Sequence, residues 1–357
     1  MGPKSEPGPT LFRTFFPATI AVACLANLVI LLIRLYFTVH HSDLFETSGT
    51  EGVGIYAVWK AKNGYPLYEW PDSGAFAMSI FNYLLYTMDG FLLRVFHIAD
   101  NHVPSMARLI TFAFAVGGVF AHRAVVRQIM PKALCNRAVS ITAWLLIVSM
   151  WIGRSSVSWW TLTVRPDIPA LALDVIGLLF LIRSMEGKSI INTLTASVLF
   201  YLAWSMKQSF VLTISISCLF LLVSRRYRET LWLCVPFAAM CAVTLVIGGP
   251  VFRRNMLYMP TLAPFGLRSG LVNLATWVVF NPIFWMPACF LPWAWRGVAG
   301  RITPGQAQPR FDDRRRLMLI VMLAAISLPL SFVASCRVGA NYNYFFVPLV
   351  HLTTLSI

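Results

Sequence analysis

A chain of 357 residues with 58% hydrophobic and only 12% charged residues, and a mean hydropathy of +0.69, has too little polar surface to face water as an ordinary globule. A soluble domain is therefore excluded. The formal charge of +15 would suggest nucleic acid in a soluble protein. Here the Lys and Arg fall in short loops between apolar runs, as membrane orientation requires, and no nucleic-acid partner is expected.

In chain order, the first apolar run, 15–39, follows a short basic leader. AVAC at Ala21 to Cys24 is similar to a lipoprotein cleavage box, but the run continues past Cys24, so a retained first helix is expected. Further runs long enough for about 30 Å of hydrocarbon lie near 103–121, 138–155, 168–185, 189–206, 208–223, 231–249, 271–295, 317–335 and 344–357. The fold class is thus all-α and polytopic, with about ten transmembrane helices. The stretch around Lys207 is too long for one helix and barely enough for two.

The apolar segment 75–97 decides the topology of everything after it. If it does not cross, 17 of the 29 Lys and Arg lie on the side of the amino terminus. If it crosses, the clusters at 123–137, 183–188, 225–228 and 296–316 move outside, against the positive-inside rule. The first arrangement is preferred. Residues 40–104 then form one long first outer (periplasmic) loop bearing interfacial helices, which holds seven of the 14 acids. Gly64, Pro66 and Gly74 mark turns in it.

No internal repeat, low-complexity tract or soluble domain is visible, so 1–357 reads as a single transmembrane domain with a cytoplasmic linker at 296–316. The chain stops inside an apolar run, HLTTLSI, as a truncated product would. Seven cysteines and six histidines show neither CxxC nor metal spacing, so no disulfide framework and no zinc site are expected.

Placing alternate loops on one side gathers polar groups far apart in sequence: Glu51, WWTLTVRPD at 159–167, Lys207, FRRN at 252–255 and CRVGANYNYFF at 336–346. Charges near lipid depth are costly and mark functional sites by default. Single cations at helix ends also snorkel to the headgroups, and that reading is preferred for Arg34, Arg253, Arg254 and Arg268. Asp167 and Lys207, closely flanked by apolar sequence, stay open to both. Asp174 lies seven residues beyond Asp167, on the same helix face about 10 Å deeper, and reads as structural. Trp159 and Trp160 read as interfacial anchors before sugar-stacking groups.

The chemistry that uses such a set is group transfer from a lipid-linked phosphate, in which cations hold the leaving phosphate and a carboxylate takes a proton from the attacking hydroxyl. An acid followed by Gly and Tyr and then NGYPLYEWP, with RPD, KQS and NYNYF in that order, resembles the GT-C glycosyltransferases. The likeness is to the bacterial protein O-mannosyltransferase and aminoarabinose-transferase branch. It spans most of the chain, each motif being short. It implies a first helix, a long outer loop with interfacial helices, and transfer of a sugar from a polyprenyl-phosphate donor on the outer face of a bacterial inner membrane, with the amino terminus cytoplasmic.

The resemblance implies that Glu51 is the catalytic carboxylate, with Glu46 and Asp43 as substitutes. Many relatives have Asp there, and a Glu lengthens the arm. It also matches Asp167 to a second acid that in some branches helps bind a divalent metal, while others work without one; no resident cofactor is expected. Lys207, Arg165 and Arg337 are candidates for the donor phosphate. Asn341, Asn343 and Tyr344 are candidates to hydrogen-bond the sugar or phosphate, or else form a polar helix entrance. The expected partners are the polyprenyl-phosphate-linked donor, a lipid, glycan or protein acceptor, and membrane lipids. The competing readings are a lipid or solute transporter and a polysaccharide polymerase or ligase.

Overall fold

A computed structural model describes residues 10–41, 51–70, 81–130, 137–153, 155–187, 189–289, 311–337 and 339–357. Among them every regular element is helical, and the only strand-like pairing is an isolated bridge between Phe265 and Arg337. The order is α1 (Thr10–His40), α2 (Glu51–Asn63), α3 (Leu84–Val95), α4 (Val103–Ile129), α5 (Arg137–Trp151), α6 (Asp167–Gly187) and α7 (Ile190–Met206). It continues with α8 (Leu212–Val223), α9 (Tyr227–Ile247), α10 (Gly249–Arg253), α11 (Leu267–Phe280), α12 (Pro282–Cys289), α13 (Phe311–Ser335) and α14 (Phe346–Ser356).

Four stretches among the described residues are long and apolar enough to cross a membrane: Asp100–Ile129, Asp167–Gly187, Tyr227–Ile247 and Arg314–Ser335. The bent pair α11 and α12 makes a fifth if it is one span. The chain is an α-helical membrane protein. Each of the ten apolar runs carries a helix, but several are shorter than a span. Around Lys207 the chain does form two helices, α7 of 17 residues and α8 of 12. At 1.5 Å per residue these reach about 26 and 18 Å.

The run 271–295 was expected as one continuous helix. Instead it bends by 89° between α11 and α12. Pro282 has no N–H to donate and disfavours helical geometry in the residue before it. Asn281 accordingly leaves the helix at φ −127° and ψ 28°. Its side chain takes over the polar work, donating to Trp277 O at 2.7 Å and accepting from Ser156 N at 3.1 Å.

In the segment 75–97, α3 has 12 residues, about 18 Å of helix, too short to cross. It packs on α2 through Gly90, where a Cβ would lie 2.6 Å from Ala61 Cβ. Residues 71–80, with Gly74, lie outside the described residues, as do Asp43 and Glu46 and the linker up to residue 310.

The core is built around α6, which is apolar round its whole circumference and therefore has no face for water. It lies buried between α4 and α7, close enough to α7 that a Cβ on Gly177 would come 3.0 Å from the Phe200 ring. By contrast α9 exposes Val243, Val246 and Ile247, as a lipid-facing helix does. At the end of the bundle away from Asp167, Arg316 donates to Gln128 O at 2.8 Å and pairs with Glu186 at 2.9 Å, tying α13 to α4 and α6.

Candidate functional site

Asp167 opens α6, where its charge also faces the positive end of the helix dipole. The side chain is completely buried. Its Oδ1 accepts from Lys207 Nζ at 2.6 Å and from Asn343 Nδ2 at 2.7 Å. Arg165 Nε stands 3.5 Å from Oδ2. Thus the start of α6, the end of α7 and the short helical turn at 342–345 converge on one carboxylate.

The two cations are packed between aromatic rings. The Arg165 guanidinium lies 3.8 Å from the Trp160 ring centroid and 5.8 Å from Phe81. Lys207 Nζ is 5.3 Å from the Phe81 ring and 5.2 Å from Tyr344. Such faces attract cations most when water is excluded. Burial lowers the Lys207 pKa from its ordinary value, and the neighbouring Asp167 carboxylate works in the opposite direction. Burial likewise raises the Tyr344 hydroxyl. Two buried acceptors in the cluster, Asp167 Oδ2 and Asn343 Oδ1, have no hydrogen-bond partner.

Glu51, at the start of α2, is also fully buried. Its Oε1 accepts from Arg108 Nε at 2.8 Å and from Val164 N at 3.0 Å. Because Val164 lies three residues before Asp167, both carboxylates are anchored on the same short loop. Gly54 permits this approach, since a Cβ there would sit 2.3 Å from Val164 O.

The remaining candidates are placed less centrally. Asn341 caps the turn that carries Asn343, its Oδ1 accepting from Tyr342 N at 2.7 Å. Arg337 Nη1 points to three carbonyls, Pro260 O at 3.4 Å, Thr261 O at 3.1 Å and Ala263 O at 3.3 Å, and so fastens the loop after α10. Asp174 accepts from Thr213 at 2.5 Å, joining α6 to α8.

Arg34, expected to snorkel, instead turns inward. It is buried and donates to Ser158 O at 2.9 Å and Trp159 O at 2.8 Å. The carbonyls of the short turn there need partners, and α1 supplies them. Arg253, Arg254 and Arg268 are exposed. Of the two tryptophans, Trp159 is exposed while Trp160 is buried against Arg165.

Reading the sequence missed Arg108. The signal was present, since it is a lone cation five residues into an apolar run, where a charge demands a partner. Phe81 was missed as well, and nothing in its local sequence marks it.

Among the described residues no three His, Cys, Asp or Glu side chains converge to hold a metal ion. No protein-family model matches the chain, and a search of curated proteins returns no match.

Proposed function

We propose that this chain is a membrane glycosyltransferase of the GT-C type, moving a sugar from a polyprenyl-phosphate donor to an acceptor hydroxyl on the outer face of a bacterial inner membrane, with its amino terminus in the cytoplasm. The observation that carries the reading is the buried group Asp167, Lys207, Arg165 and Asn343, assembled from three separate segments beside the Glu51 and Arg108 pair. Cations held in a partly dry site stabilise phosphate oxygens far better than in water.

In this reading Lys207 and Arg165 hold the donor phosphate. The acceptor oxygen attacks the anomeric carbon as the bond from that carbon to the phosphate oxygen breaks. The electron pair leaves with the phosphate, the acceptor proton passes to Glu51, and the anomeric configuration inverts. Asp167 pairs with both cations in the resting state and offsets one of the two charges. One observation favours Asp167 for the proton instead: its Oδ2 has no hydrogen-bond partner, whereas Glu51 Oε1 is engaged twice.

A transporter is the second reading, favoured by the 89° break at Asn281, since interrupted helices line many transport sites. Transfer of the sugar to an acceptor by the purified chain separates the two, and donor binding tests the phosphate site. Lys207→Gln removes one charge from the phosphate site, worth about 1.5–3 kcal/mol for a charged hydrogen bond. Binding of a polyprenyl-phosphate sugar is therefore expected to weaken by roughly 10- to 100-fold. Unchanged donor affinity in a folded Lys207→Gln chain would remove the phosphate assignment.

A further inference from the structure

Away from the charged cluster, at the carboxyl end of α2, lies an open cavity of about 480 Å³ lined by Lys62, Asn63, Gly64, Arg94, His97 and Ile98. Arg94 is fixed there by the last carbonyls of α2: its Nε donates to Lys62 O and its Nη2 to Ala61 O, each at 2.6 Å. That leaves Nη1 without a partner among the described residues. Gly64 turns the chain at φ +79°, and having no side chain it leaves the guanidinium uncovered. On the other wall Lys62 Nζ pairs with Asp100 Oδ1, whose Oδ2 accepts from Trp59 Nε1 at 2.9 Å. His97 sits at φ 52° with its imidazole exposed. Two cationic side chains and an imidazole thus share the hollow with one carboxylate, Asp100, which Lys62 already engages.

Beside this cationic hollow, α3 turns an apolar ridge outward. Phe91 and Val95 are 63% and 51% exposed and, one turn apart at i and i+4, share one side of the helix; Phe96, 69% exposed, follows at its carboxyl end. A short helix with such a ridge lies in the interface with the ridge among acyl chains. The neighbouring cations then stand at phosphate depth.

We propose that this cavity binds the headgroup of an anionic phospholipid, with its phosphate against Arg94 and Lys62 and its acyl chains along Phe91 and Val95. A free phosphate ester meets the same cations but has nothing to lay on the ridge. The site is separate from the transfer reaction and does not depend on it.

The test is native mass spectrometry of the delipidated full chain, titrated with phosphatidylglycerol, phosphatidylcholine or glycerol 3-phosphate. Phosphatidylglycerol is expected to be retained in preference to phosphatidylcholine, and glycerol 3-phosphate at equal concentration is expected not to displace it. His97→Asp places a negative charge on the cavity wall at a side chain with no structural partner, in a backbone region that Asp tolerates. It is expected to weaken phosphatidylglycerol binding by about fivefold, with thermal unfolding unchanged. Asn63→Asp, on the same cavity, serves if that variant does not fold. Equal retention of the two lipids, displacement by glycerol 3-phosphate, or unaltered affinity in the folded variant would each overturn the assignment.

Discussion

Asp89 has no exposed surface, and neither of its carboxylate oxygens has a hydrogen-bond partner. It lies on the face of α3 shared by Leu85, Tyr86 and Leu93, all buried. Burial pushes its pKa well above the usual carboxylate range. In the unfolded chain an Asp titrates near about 3.9. Above that pH the unfolded chain has lost the proton and the folded chain still holds it, so stability falls as pH rises toward the folded value. Asp89→Asn removes the titration. Its unfolding free energy in detergent is expected to gain on the wild type progressively as pH rises above about 4, by up to about 1.4 kcal/mol per unit, until the folded carboxyl ionises. A constant offset across that range would contradict the buried neutral carboxyl. The same scale shows what single residues announced. Asp167 and Lys207 stood out as charges closely framed by apolar sequence, and they do meet. Arg337 looked equivalent on charge alone, but its fate depended on carbonyls at 260–263, which no local pattern reveals.

At the scale of elements, the decisive contact is α2 against the loop before α6. Gly54 brings the helix so close that any side chain there must displace the backbone of Val164. Gly54→Ala is therefore expected to destabilise the fold by about 1–3 kcal/mol and to reduce sugar transfer by loosening the Glu51 to Val164 hydrogen bond. Gly117 in α4 provides the contrast, since a Cβ there meets nothing within 4 Å. Gly117→Ala should leave transfer intact and add up to about 1 kcal/mol from helix propensity alone. Thermal unfolding with a transfer assay reads both, and equal behaviour of the two variants would refute the close-contact account. Helix existence was legible from apolar runs because burial and lipid both demand it. The bend at Asn281 was not read, although Pro282 carries the local signal. Length was also misjudged where a run continues past its helix, as before α8, because Lys207 leaves α7 in extended geometry to reach Asp167.

For the whole molecule, contacts between helix ends sort the loops. Arg34 reaches the turn at 158–160, Glu51 the loop at 164, Lys207 and Asn343 the start of α6, and Asn255 the backbone of Glu69. Arg316, Glu186 and Gln128 meet at the other end. These contacts gather the loops at one end of the described helices; which face of a membrane that end meets rests on the distribution of Lys and Arg alone. Charge counting can give sides because it averages many residues; it cannot give partners, which depend on packing. The reaction is the claim on which the rest converges. It is tested most directly by mass spectrometry of envelope lipids and glycans from cells carrying the wild-type chain, Glu51→Gln or neither, at matched membrane levels. The account predicts a sugar-sized mass gain with the wild type alone. A gain in none of the three, or an equal gain with Glu51→Gln, would contradict it.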